Sequence, residues 1–205
     1  MAQRGRPRGY DEDRVLDVAM RLFWEHGYDG TSLSELTAAM GINRRSVYAA
    51  YGSKEGLFNA ALKRYLSGPG AFINQALKQP TAYEVAETYL RLAVLSYTSP
   101  DLPPGCMTLQ AGLTCSAESG PVQVELAEKR LAGIALLEQR FRRAAEEGDL
   151  PAGADPAALA SYLVTLNHGL SVQAGSGAGR AHLDRTVDQA LLLWSRPAES
   201  GRISG

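Results

Sequence analysis

Long apolar runs are missing from this chain: no stretch of its 205 residues approaches the roughly 20 that a bilayer-spanning helix needs. The basic opening Met1–Gly9 is followed by no apolar segment, so no signal peptide is read there. Cysteine is scarce. Two residues, Cys106 and Cys115, cannot form a disulfide framework for a chain of this size, which makes a cytoplasmic protein with reduced thiols the expectation. The three histidines, His26, His168 and His182, lack metal-ligand spacing, and Cys106 with Cys115 has no Cys-x-x-Cys form, so neither metal nor cofactor is expected. Charge of one sign is lacking too, with a net of −1. The chain as a whole therefore does not announce a nucleic-acid partner. Neither an internal repeat nor a convincing strand appears past residue 70.

The distribution of charge says more than its total. Residues 1–67 carry 10 Lys+Arg against 8 Asp+Glu, whereas residues 68–205 carry 11 against 14. Arg4, Arg6 and Arg8 alternate with Gly and Pro over residues 1–10, a basic arm expected to be disordered. Such an arm can enter a narrow minor groove, where guanidinium groups are attracted, or remain a solvated tail.

Asp11 is a good N-cap, and Val15, Ala19, Leu22 and Phe23 recur at helical spacing up to Gly27. Ser32 with Glu35 makes a capping box ahead of Leu33, Leu36 and Met40. Gly41 supplies the turn, Asn43 caps the next short helix, and Val47 points inward from it. Two short helices around a tight turn are the layout of a helix-turn-helix, whose second helix reads the major groove. Arg44, Arg45, Ser46, Tyr48 and Ala50 fall on or near its outer side. Arginine can bond guanine O6 and N7 as a fork, each good pair giving ~1–3 kcal/mol of discrimination. Ser53 caps a fourth helix with Leu57, Phe58, Ala61, Leu62 and Tyr65 buried.

After the Ser67–Gly70 break the pattern stays helical. Thr81 and Glu84 cap a helix to about Tyr97; a loop covers 99–105; a short apolar helix covers 106–116; and a long amphipathic helix runs from Pro121 to Gly148, with Leu126, Leu131, Ile134, Leu137 and Phe141 inward. Asp155-Pro156 opens the next helix, and a last one covers about 182–194. The fold expected is all-α with nine or ten helices: an arm at 1–10, a DNA-binding bundle at 11–67, a larger C-terminal bundle at 68–197 and a disordered tail at 198–205.

The pattern Gly27-Tyr28 … Thr31-Ser32-Leu33 … Gly41-Ile42-Asn43 … Ser46-Val47-Tyr48 … Tyr51-Gly52-Ser53-Lys54-Glu55-Gly56-Leu57 resembles the TetR family of bacterial transcriptional regulators. The close match spans about residues 10–60, and Gly105-Cys106-Met107 looks like one branch of that family. The resemblance implies a homodimeric repressor that leaves its operator when a small molecule binds the C-terminal domain. It also implies that Thr31 and Lys54 hold phosphates, that Arg44, Arg45 and Ser46 read bases, and that Tyr48 and Tyr51 contact the backbone or brace the helix. Tyr51 is the one of the pair with the stronger claim to be core. Where many relatives carry a large aromatic or His residue, this chain has Ala49 and Ala50, which weakens one edge of the readout.

One short recognition helix covers too few base pairs to select a promoter, so a symmetric dimer on a palindromic double-stranded operator is expected. Its interface is placed on Leu159, Tyr162, Leu163, Leu166, Val187, Leu191 and Trp194, which could alternatively be intramolecular core. A largely apolar effector is expected among the helices of residues 70–180. Tyr97, Cys106, Met107, Gln110, Asn167 and His168 are the candidate contacts, each of them otherwise satisfied core. Cys106 at a helix start could be an activated thiol that senses electrophiles or oxidants, or a small buried hydrophobe. An enzyme using Cys106 and His168 has no accompanying motif. A helical ligand-binding protein without specific DNA binding is the remaining alternative.

Overall fold

The computed structural model describes residues 11–113 and 115–194. Arg4, Arg6, Arg8, the arm and the 198–205 tail lie outside the described residues. Among those described, ten α-helices and one 3-10 turn account for the secondary structure, with no strand. They are α1 (Glu12–Gly30), α2 (Leu33–Met40), α3 (Arg44–Tyr51), α4 (Lys54–Ser67), α5 (Phe72–Ala76), α6 (Ala82–Tyr97), α7 (Met107–Leu113), α8 (Gly120–Glu146), α9 (Pro156–Gly175) and α10 (Arg180–Leu191), with the 3-10 turn at Ala117–Ser119.

The chain forms two compact units. The first takes residues up to Gly68 together with 107–124; the second takes 69–106 and the chain from Glu125 onward. A single cut at 67–68 therefore does not describe the molecule. The reason is α7, which packs on α1 and α4 and buries Met107 and Ala111 completely.

Helix starts in the first unit follow from side chains within three residues of them. The Asp11 carboxylate accepts from the Asp13 and Arg14 amides, Asn43 from Ser46, and Ser53 from Gly56. Ser32 and Glu35 form the reciprocal capping box. Each such cap contributes ~1 kcal/mol. Gly41 closes α2 at φ 69°, a left-handed conformation that a side chain resists, and so turns the chain into α3. The regular helix breaks at Gly27, as expected, where the backbone is non-helical at φ 72°, and a further turn carries the α1 span on to Gly30.

The core beneath is aromatic. Phe23 meets Phe58 edge-on with ring centroids 5.1 Å apart, and Trp24 meets Tyr65 at 4.8 Å. At the far end, Arg64 ties α4 to α1 by donating to Asp17 from Nε and Nη2 and to Asp13 from Nη1. Those hydrogen bonds hold the Asp17 carboxyl below the usual carboxylate range.

In the second unit, α6 is the central helix, packed on α5, α9 and α10. Thr81 and Glu84 form its capping box, and the Asp149 carboxylate accepts the Ala82 amide at the same end. Arg140 of α8 donates to the Gln79 and Pro80 carbonyls at 2.8 and 2.7 Å. Arg91 joins α6 to α10 through Asp184 and Asp188. Leu126, Leu137 and Phe141 are buried as their spacing predicts, and Ile134 is half-buried. Leu131 is not inward: it is 64% exposed, because a straight 3.6-residue helix carries that position away from the Leu137 face.

Candidate functional site

The exposed face of α3 follows from its caps and its single anchor. Val47 is fully buried, so it anchors one side of α3 and leaves the opposite side to solvent. Arg44, Arg45 and Ala49 are exposed, Tyr48 is 52% exposed, and Ser46, Ala50 and Tyr51 are half-buried. Arg44, Arg45 and Tyr48 thus form the accessible strip of α3, and Ser46 lies half-buried at its edge. Arg44 reaches back to α2, its Nη2 donating to Ser34 Oγ at 2.6 Å.

The junction from α3 into α4 is tight. A Cβ placed on Gly56 would lie 1.9 Å from the Tyr51 carbonyl oxygen, so only glycine permits this close approach. The approach fixes Lys54 beside the C-terminus of α1. The Lys54 ammonium sits 4.3 Å from the centroid of the Tyr28 ring, a cation–π contact. Burial there lowers the lysine pKa, while nearby Asp29 favours its charged form. Tyr28 in turn packs against Phe58 and Phe23.

Asp29 is occupied elsewhere as well. Its carboxylate accepts from the Ser119 hydroxyl and the Ser116 amide, which pushes its pKa below the ordinary value. The 3-10 turn after α7 is thereby tied to the end of α1, next to Lys54. No sequence pattern flagged Asp29 or Ser34, because their partners lie 87 or 90 residues away in one case and on another helix in the other.

Thr31 needs correction. It is fully buried, and its hydroxyl donates to the Gly27 carbonyl at 2.7 Å and the Leu22 carbonyl at 3.2 Å. The bend at Gly27 frees that carbonyl, and Thr31 satisfies it from inside. A hydroxyl so placed cannot hold a phosphate. The exposed hydroxyl at the start of α2 belongs to Ser32.

In the second unit, the structure brings together only some of the effector candidates. Tyr97 donates to Asn167 Oδ1 at 3.0 Å, and Asn167 Nδ2 donates to the Tyr89 hydroxyl at 3.1 Å. The Cys106 amide donates to Ser171 Oγ at 2.8 Å, and Phe72 packs on both tyrosines. Burial raises the Tyr89 pKa, so the phenol stays protonated. Tyr89 and Ser171 were not among the expected contacts. Asn167 and Ser171, one turn apart on α9, were the available signal. His168 is half-buried, and burial with the Arg130 charge lowers its pKa. Met107 and Gln110 lie on α7, in the first unit.

The dimer candidates divide. Leu163, Val187, Leu191 and Trp194 are buried within the single chain, Trp194 against Phe141 at 5.1 Å, and are corrected to intramolecular core. Tyr162 is 39% exposed, and Leu159 and Leu166 are half-buried. Val172, Leu192 and Leu193 are the larger exposed apolar side chains nearby in sequence. Among the described residues no three His, Cys, Asp or Glu gather as a metal site, and no helix is long and apolar enough to cross a membrane.

This geometry has counterparts. Residues 15–61 match the family described as bacterial regulatory proteins, tetR family, and residues 85–190 match the tetracyclin repressor-like C-terminal domain. The chain is 33% identical over 193 residues to the HTH-type transcriptional repressor ComR of Escherichia coli (strain K12), covering 93% of this chain and 92% of that protein. It is 32% identical over 195 residues to the uncharacterized HTH-type transcriptional regulator YezE of Bacillus subtilis (strain 168), covering 92% and 98%. A cysteine mutant of the TetR family transcriptional regulator CifR, solved with 26-base-pair double-strand operator DNA, superposes with a TM-score of 0.87. The identity is 42%, and the match covers 93% of this chain and all of that one.

Proposed function

Because the chain belongs to the TetR family of bacterial regulatory proteins and is a DNA-binding transcriptional regulator, we propose that it is a cytoplasmic repressor acting as a symmetric dimer. Each protomer presents Arg44, Arg45, Ser46 and Tyr48 to the major groove of one operator half-site, with Lys54 and the arm arginines Arg4, Arg6 and Arg8 on the backbone or minor groove, while Tyr51, whose hydroxyl is buried, braces the helix. The observation that carries this reading is the exposed strip of α3 set by buried Val47. The ComR repressor and the operator complex of CifR support it. Tyr162, Leu159 and Leu166, with the exposed Leu192 and Leu193, form the face offered to a second protomer.

Release from DNA follows binding of an uncharged small molecule in the second unit. The polar groups gathered there, Tyr89, Tyr97, Asn167 and Ser171, are all neutral hydrogen-bonding side chains among apolar ones, a chemistry suited to a ligand without formal charge. A second reading makes Cys106 the trigger. Its place directly before α7, which packs on α1 and α4, favours that reading, and its 6% exposure opposes it.

The test is titration of the protein onto DNA upstream of its own gene across a range of salt concentrations. Specific binding with a steep salt slope, lost in Arg44→Ala/Arg45→Ala, is the expected result, and no binding at low salt sinks the proposal. Release by a mild electrophile that persists in Cys106→Ser removes the thiol trigger.

A further inference from the structure

We propose that Ser34 of α2 is a specificity-determining positioning residue: it presets the Arg44 guanidinium, and Arg44 rather than Arg45 carries base selection at this end of the recognition helix. The inference rests on the operator-binding reading above. It begins from the difference between two adjacent arginines that look equivalent in sequence. Arg44 Nη2 donates to Ser34 Oγ at 2.6 Å, a short bond between two exposed side chains on different helices. Arg45 is also exposed and has no hydrogen bond or ion pair among the described residues.

A free arginine side chain loses much rotational freedom when it is fixed on a base, and that loss opposes binding. Arg44 has lost part of it before DNA arrives. One Nη2 hydrogen is engaged by Ser34, which leaves Nε, Nη1 and the second Nη2 hydrogen for a two-point contact. Such a fork fits guanine O6 and N7, and its value depends on how well the plane is aimed. Arg45 keeps its full freedom and suits a phosphate, which tolerates many approach directions.

Ser34 gains a role of its own from the same bond. Its oxygen accepts from a cation, so its hydroxyl hydrogen must point away from Arg44 and is polarised as a donor. That hydrogen is available to a base-edge acceptor, which would add to the sequence-dependent part of binding. The loss of side chain at Ala49 and Ala50 makes this contribution from α2 more important, because α3 has little to offer at its other end.

The test uses the full chain and a random-sequence duplex library. Wild type and Ser34→Ala are each taken through selection, and both are then titrated by anisotropy onto the duplex that wild type selects and onto a scrambled duplex. Ser34 is exposed and alanine favours helix, so the variant folds. The expected result is a roughly threefold to tenfold loss on the selected duplex, with the scrambled duplex and the salt slope unchanged. Base preference relaxes at one position per half-site, and Ser34→Thr restores it. In a double-mutant cycle, Arg44→Ala costs less in the Ser34→Ala background than alone, whereas Arg45→Ala costs the same in both. An unchanged selection profile, an equal loss on both duplexes, or a zero Ser34–Arg44 coupling overturns this inference alone. A wild type that enriches no sequence overturns the regulator reading, and this inference with it.

Discussion

Thr31 and Lys54 show how a residue type can be right for two opposite jobs. A threonine ahead of a helix offers a hydroxyl to a phosphate, yet here the hydroxyl is turned inward onto the Gly27 carbonyl, freed by the break there, and the Leu22 carbonyl. Thr31→Val removes the hydroxyl that the Gly27 carbonyl accepts from and should cost about 1–3 kcal/mol of stability. Thr31→Ser should keep most of it, and urea unfolding of both variants measures the difference. Lys54, held over the Tyr28 ring beside Asp29, is the contrasting case. Lys54→Gln should weaken binding to operator and scrambled DNA alike and reduce the slope of log affinity against log salt by about 1. A selective loss on operator DNA would contradict a phosphate role.

At the scale of the element, local chemistry was legible and distant chemistry was not. Asp11, Ser32, Asn43, Ser53, Thr81 and Asp155 all cap the helices their positions announce, because each bonds an amide two or three residues along the chain. The five residues of α5, by contrast, are too few to complete an apolar period after Gly68-Pro69-Gly70, and the helix went unseen. The Asn167 link to Tyr89 joins positions 78 apart, and no spacing rule reaches that far. Gly56 sits between these cases. Its position in the Gly52–Leu57 motif was visible, but the 1.9 Å gap to the Tyr51 carbonyl that forbids a side chain was not. Gly56→Ala should push α4 off α3 at a cost of about 1–3 kcal/mol, and it should displace Lys54. Lowered thermal stability with lost operator binding is the expected result, and unchanged values for both would refute it.

For the whole molecule, the division of apolar residues between core and partner surface was the least legible feature. Leu163 and Tyr162 are neighbours on α9, yet one is fully buried and the other exposed, and hydrophobicity alone could not separate them. The same burial gives the second unit a pH dependence. His168 has its pKa lowered below 6.5 by burial and by the Arg130 charge. The unfolded chain therefore binds the proton first, so the stability tied to neutral His168 is complete above 6.5. It falls as pH drops from there through the depressed value. Urea midpoints should fall from pH 7.5 to 5.5 in wild type and fall less in His168→Gln, and equal slopes would remove the assignment.

The first unit is made of two stretches of chain separated by the 38 residues from 69 to 106. On the ribosome, α1 and α4 therefore emerge with the face that α7 covers still bare. At about 5–20 residues per second, α7 follows roughly 2–8 s later. The DNA-binding unit cannot close until most of the central helix α6 and the loop after it have been synthesised. A truncated transcript ending near Gly68 would yield a fragment with its aromatic core only partly covered. Such a fragment exposes apolar surface that the full chain buries under α7, which makes it a target for aggregation and proteolysis.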